Sequence, residues 1–152
     1  MTNNKNADKL IEFAKKFIGT PYKYGAKMEE APGVFDCSGF VKYVFGRFGI
    51  ELPRSTIEQA GFLTNTIKSI KKILTGDIIF FHGKVGHYNK KFPKGIGHVA
   101  IYTGDGKIIH ASSKRTSDKS DKLKEAGKVK IGTLKTLIKK SGPVIVIKRV
   151  IW

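Results

Sequence analysis

Apolar residues recur at helical spacing in the first third of the chain and in short unbroken runs later, so the pattern passes from α to β. Leu10, Ile11, Phe13, Ala14, Phe17 and Ile18 form one stripe, and the spacing predicts a helix over residues 7–18 that Gly19 ends. Thr20-Pro21-Tyr22-Lys23-Tyr24-Gly25 interrupts it as an extended turn, and a loop runs on to Phe35. Phe40, Val41, Val44, Phe45 and Phe48 then mark one face of a second helix over about 37–48, closed by Gly49. Ser55-Thr56-Ile57-Glu58 has the form of a capping box and opens a short third helix.

The remaining apolar runs read as strands. Ile78-Ile79-Phe80-Phe81 follows the turn Thr75-Gly76-Asp77, and Val144 to Val150 follows Gly142-Pro143. His98-Val99-Ala100-Ile101-Tyr102 and Lys107-Ile108-Ile109-His110 flank Gly104-Asp105-Gly106, whose glycines suit a hairpin turn. Residues 82–97 form a loop rich in Lys, Gly and His, and residues 114–128 are polar enough for a mobile surface excursion. Helices first and antiparallel strands after predict an α+β fold with the helices on one face of the sheet. The 152 residues are expected to make one domain over 1–152.

Charge sharpens this picture. There are 29 Lys and Arg against 12 Asp and Glu, a formal net charge of +17. Such a field draws a protein toward polyanions: nucleic acid, anionic membrane or phosphate-rich wall polymers. The excess is mostly lysine, without arginine clusters interleaved with aromatics, so no specific nucleic-acid readout is expected. No window holds the roughly 18 apolar residues a membrane span needs. The stretch MTNNKNADKLIEFAKKF lacks the uninterrupted apolar core of a signal peptide.

The candidate chemistry centres on Cys37, the only cysteine. It falls in the first turn of the second helix, where unpaired backbone N–H groups and the helix dipole favour negative charge. That placement is expected to lower the thiol pKa, and the thiolate is the nucleophile. Ser38 and Gly39 keep the turn small enough for a carbonyl to approach. A base is needed, and His98 and His110 lie opposite each other at one end of the predicted hairpin, so one imidazole can orient the other. His82 and His87 read as solvated loop residues. A zinc site built from Cys37 and histidines lacks paired ligand spacing, and no metal or cofactor is expected. Residue types alone leave a buried structural thiol as the competing reading.

Six stretches in order resemble the NlpC-type cell-wall cysteine peptidases. Gly19-Thr20-Pro21-Tyr22-Lys23-Tyr24-Gly25 is similar to the family's entry segment, and Asp36-Cys37-Ser38-Gly39-Phe40-Val41 to its D-C-S-G motif. Leu52-Pro53-Arg54-Ser55, Gly76-Asp77-Ile78-Ile79-Phe80-Phe81, Gly97-His98-Val99-Ala100-Ile101-Tyr102 and Ile109-His110-Ala111 complete the set. The family's usual Y-G-G reads Tyr24-Gly25-Ala26 here, and nothing after Ala111 matches. The resemblance implies a papain-like α+β fold and hydrolysis of an amide in peptidoglycan stem peptides, typically between γ-D-glutamate and the diamino acid. It implies Cys37 as nucleophile, His98 as general base and His110 as the residue that orients it. Tyr22 then lies near the site, and Asp36 and Ser38 match positions that in some members bind the substrate's amino terminus.

Two other functions stay open on sequence. One is an acyl or amide transferase, or an amidase, of the same fold acting on lipid or protein; the other is a non-catalytic basic binding module. Expected partners are stem peptides and anionic wall polymers, with an acidic immunity protein if the chain is an injected effector. Action in the bacterial cell wall or periplasm then requires export without an N-terminal signal, phage lysis, or a longer parent chain.

Overall fold

Asn4 starts the first helix: its side chain accepts from the amides of Asn6 (3.0 Å) and Ala7 (3.3 Å). Helix α1 (Lys5–Lys15) buries Ala7, Leu10, Ile11 and Ala14. The computed structural model describes residues 4–84, 86–113 and 127–152. α1 ends short of the predicted residue 18, because residues 16–19 continue as a turn. Gly19 takes a left-handed conformation (φ 94°) beyond that turn, and its amide donates to the Val129 carbonyl at 2.8 Å.

Helix α2 (Cys37–Gly46) lies at the centre, with Phe40, Val41, Val44 and Phe45 fully buried. Helix α3 (Thr56–Phe62) has the expected cap: the Ser55 hydroxyl accepts from the Glu58 amide (3.3 Å) and donates to its carboxylate (2.6 Å). Behind them stands an antiparallel sheet of β1 (Ile78–Phe81), β2 (His98–Gly104), β3 (Lys107–Ser112), β4 (Lys128–Thr133) and β5 (Val144–Lys148), in spatial order β4-β3-β2-β1-β5. β5 stops at Lys148, two residues before the predicted end.

The sheet is covered on both faces. Ile78, Phe80, Val99, Ile101 and Ile109 pack with α1 and α2, whereas Ile79, Phe81, Ala100 and Ile108 point the other way. Against that second face lies a helix the apolar pattern does not announce, α4 (Leu134–Ser141), which buries Leu134 and Leu137. Burial from two sides is why β1 reads as an unbroken apolar run instead of an alternating one. The expectation that all helices share one face is corrected on this point. Residues 114–126 of the expected surface excursion lie outside the described residues; Gly127 precedes β4 and Lys128 opens it.

The β2–β3 hairpin turns on Asp105 (φ 51°) and Gly106 (φ 74°), both left-handed as a type I′ turn requires. Its register is irregular between Tyr102 and Gly104, where Thr103 is an extra residue on β2. Behind β1, Asp77 is 1% exposed and receives both Arg149 Nε (2.7 Å) and Nη2 (2.8 Å), with the Leu74 amide as a third donor at 2.9 Å. This bidentate pair joins the turn before β1 to the end of β5.

Candidate active site

Cys37 is the first residue of α2, with Asp36 as N-cap: Asp36 Oδ1 accepts from the Gly39 amide at 2.7 Å. The sulfur is 3.7 Å from Thr56 Oγ1 at the start of α3. The backbone amides of Ser38 and Val99 also hydrogen-bond it. Val99 follows His98 directly, so the fold brings the thiol from the first third of the chain to the head of β2. Burial raises the Cys37 pKa, and the Asp36 carboxylate adds to the rise; the Thr56 hydroxyl and the two amides oppose it. The net direction is upward, which corrects the expectation of a lowered thiol pKa. The helix N-terminus is present, but a site only 8% exposed penalises the thiolate more.

His98 and His110 are joined by a hydrogen bond of 2.7 Å between His98 Nε2 and His110 Nδ1, with the rings at 78°. They are not directly opposite. Ile101 pairs with Ile109, so the register carried along the ladder sets His110 against Ala100 and leaves the two imidazoles on a diagonal. The pair Gly104–Lys107 at the turn would, in an unbroken ladder, set His110 against Ile101, three residues from His98 and on the other face; the extra Thr103 shifts it to Ala100 and onto the face of His98. Both rings stay on one face, and diagonal neighbours remain within reach of large side chains.

Burial holds both histidines below the ordinary 6.5, His98 at about 4 with help from the Lys140 charge. His110 is lowered by burial first, then by His98, Lys130 and Lys140. At neutral pH the pair is therefore uncharged and shares a single hydrogen. If that hydrogen sits on His98 Nε2, His110 Nδ1 accepts it and His98 Nδ1 is left as a base.

The depressed values have a stability consequence. Between about 6.5 and about 4 the unfolded chain binds a proton at His98 that the native state refuses. The unfolded state binding more protons makes stability rise with pH, so stability is expected to fall as pH drops through that window. Chemical denaturation at a series of pH values measures the slope, and His98→Ala should flatten it. An equal slope in the variant contradicts the burial of a neutral imidazole.

A cavity of about 90 Å³ opens beside the histidines, lined by both imidazoles, Tyr22, Tyr24, Ser112 and Lys140 among others. Tyr22 is positioned by its backbone, which donates to the Gly127 carbonyl at 2.7 Å and bridges Phe35. Helix α4 supplies a wall: Lys140 Nζ donates to Ser112 Oγ and the Ser113 carbonyl, both at 3.2 Å. Asp36, Cys37 and Ser38 do not line this cavity. Arg54 Nη2 reaches Asp36 Oδ2 at 2.7 Å, Nη1 reaches Ser38 Oγ at 2.9 Å, and the guanidinium also donates to the Ala26 carbonyl. Gln59 Nε2 braces the same turn through the carbonyls of Ser38 (3.0 Å) and Pro53 (2.9 Å).

Arg54 and Gln59 are the structural residues that sequence reasoning passed over. Arg54 stood inside the quoted Leu52-Pro53-Arg54-Ser55 stretch, yet nothing in its spacing said which carboxylate it meets. The Ala26 contact uses only backbone, which is how alanine serves in the third position of the Tyr24-Gly25-Ala26 entry. His82 and His87 lie outside the cavity and are exposed. His82 Nδ1 stands 2.7 Å from the Gly83 carbonyl, and His87 pairs by backbone with Ile96. Among the described residues, no group of three or more His, Cys, Asp or Glu could hold a metal ion. No described helix is long and apolar enough to cross a membrane.

A buried thiol heading a helix, set at the start of a strand that carries one of two hydrogen-bonded imidazoles, defines a papain-like α+β domain. The chain belongs to the NlpC/P60 family, whose model matches residues 19–131. Among curated relatives, the probable endopeptidase p60 of Listeria innocua is 40% identical over 102 residues, 67% of this chain and 19% of that protein. The bifunctional muramidase/DL-endopeptidase CwlT of Bacillus subtilis is 38% identical over 103 residues, 68% of this chain and 28% of that protein. The chain thus spans less than a third of either relative's length. Among solved structures, a Staphylococcus aureus protein described as similar to lipoprotein, NLP/P60 family, superposes with a TM-score of 0.71 at 28% identity, covering 100% of this chain and 44% of that one.

Proposed function

We propose that residues 1–152 form one catalytic domain that hydrolyses the amide between γ-D-glutamate and the diamino acid in peptidoglycan stem peptides. The observation that carries this reading is the His98–His110 hydrogen bond at the head of β2, where the Val99 amide reaches the Cys37 sulfur. Family membership and the DL-endopeptidase name of CwlT support the substrate class.

The chemistry follows from the protonation states. Cys37 begins as a thiol and His98 as a neutral imidazole. As sulfur attacks the amide carbon, its proton passes to His98, and His110 accepts the Nε2 hydrogen that keeps the base oriented. Backbone N–H groups at the start of α2 stabilise the oxyanion. The imidazolium then protonates the leaving amine, leaving a thioester on Cys37. Water, deprotonated by His98, attacks that thioester and returns the thiol. Tyr22 borders the bound peptide, while Asp36 and Ser38, fixed by Arg54, shape the turn under the scissile bond. The net charge of +17 favours anionic wall polymers around the substrate, which supports a site of action in the bacterial wall.

Digestion of defined muropeptides, read by mass spectrometry, tests this. The expected products are a fragment ending in γ-D-glutamate and one beginning with the diamino acid. Transfer of the acyl half to a new lipid or protein acceptor supports the transferase reading instead, and unchanged muropeptides reject both.

A further inference from the structure

The stretch from Arg54 to Gln59 does more than cap a short helix. Arg54, Thr56 and Gln59 each point back at residues 36–38: Arg54 at two side chains, Gln59 at a carbonyl, and Thr56 at the sulfur itself. Thr56 is the first residue of α3, and the Ser55 cap and Gln59 brace fix where its hydroxyl stands. That hydroxyl is half-buried, 3.7 Å from Sγ, and the structure gives it no described hydrogen-bond partner but the sulfur.

We propose that Thr56 is a further catalytic residue, donating its hydroxyl hydrogen to the Cys37 sulfur whenever that sulfur carries negative charge. The assignment rests on Cys37 being the nucleophile. The groups facing the sulfur divide by what they can do. The amides of Ser38 and Val99 are fixed donors from α2 and β2, and in the proposed mechanism the proton goes to His98. The Asp36 carboxylate opposes charge on sulfur, although Arg54 is paired with it. Thr56 from α3 alone can rotate, accepting from S–H in the resting thiol and donating to sulfur once the proton has moved. No proton leaves Thr56: the thiol hydrogen goes to His98, and the hydroxyl keeps its own. The same donor serves again when the thioester breaks and sulfur departs as thiolate. In a site where burial is the largest cause raising the thiol pKa, Thr56 is the largest that lowers it.

The test compares Thr56→Val and Thr56→Ser with wild type in two assays: the pH dependence of Cys37 alkylation by iodoacetamide, and kcat/KM on a stem peptide. A hydrogen bond to a charged group is worth roughly a factor of ten or more in the thiolate equilibrium. Thr56→Val is therefore expected to move the alkylation midpoint to higher pH and lower kcat/KM about tenfold, with KM little changed. Thr56→Ser should restore both, and thermal melts report that each variant is folded. An alkylation curve for Thr56→Val that superimposes on wild type overturns the proposal, as does an equal shift in Thr56→Ser. Alkylation needs no peptide, so a shifted curve in a protein that cuts no stem peptide keeps Thr56 and removes the endopeptidase reading.

Discussion

Replacing Cys37 by alanine is expected to abolish stem-peptide cleavage, by roughly 10⁴-fold or more, while leaving the fold in place. The size of the loss follows from covalent catalysis. Without sulfur there is no thioester, and the remaining oxyanion donors and imidazoles can act only on water. The fold survives because the substitution removes one atom at the edge of the core, where the residue is 8% exposed. Helix α2 keeps its start, since the cap comes from Asp36 and the clamp from Arg54. The stability cost is about 1 kcal/mol, the scale of deleting one small buried group. Cys37→Ser tests the same point differently: the hydroxyl fits, but its much higher pKa leaves His98 unable to generate the nucleophile. Product release by chromatography and a melt on each variant measure both halves of the expectation. Substantial turnover by Cys37→Ala removes the nucleophile assignment.

The second large effect is expected at His98. His98→Ala takes away the acceptor of the thiol proton and the donor to the leaving amine, a loss of about 10²–10⁴ in kcat. Because the resting thiol pKa is raised, little thiolate forms unaided at neutral pH, and the loss should lie toward the upper end. His110→Ala should fall between that variant and wild type. It leaves the base but removes the 2.7 Å partner that holds the Nε2 hydrogen in place. His110→Asn, which can still accept a hydrogen bond, should recover part of the difference. Steady-state kinetics on the three variants gives the order, and a His98→Ala enzyme within tenfold of wild type contradicts the acid–base role.

Which of these features the sequence discloses depends on how local their causes are. Helix α2 is legible because one side of it is buried and Asp36 caps it, both visible within ten residues. β1 is legible because burial on both faces leaves four apolar residues in a row. β4 and α4 are not, since Val129 and Leu134, Leu137 and Ile138 are scattered among lysines in elements of six and eight residues. The wall that α4 gives the cavity was hidden with them. That His98 and His110 share one end of a hairpin could be read from the turn, but not their diagonal register, which one extra residue at Thr103 decides. The position of Cys37 in a first turn was local too. Its raised pKa was not, because the burial responsible comes from the packing of α2 into the core, made by residues from distant parts of the chain. Arg54 is the same kind of case: its partner Asp36 lies 18 residues upstream, and only the packing of α3 on α2 brings the pair together.

Rapid quenching of the enzyme during turnover of a stem peptide, followed by intact-mass spectrometry and peptide mapping, reaches the central claim most directly. The predicted result is a transient adduct equal in mass to the γ-D-glutamyl-side fragment less water, carried on Cys37 and released by water. An enzyme mass that never changes while products accumulate, or an adduct on any other residue, would contradict it.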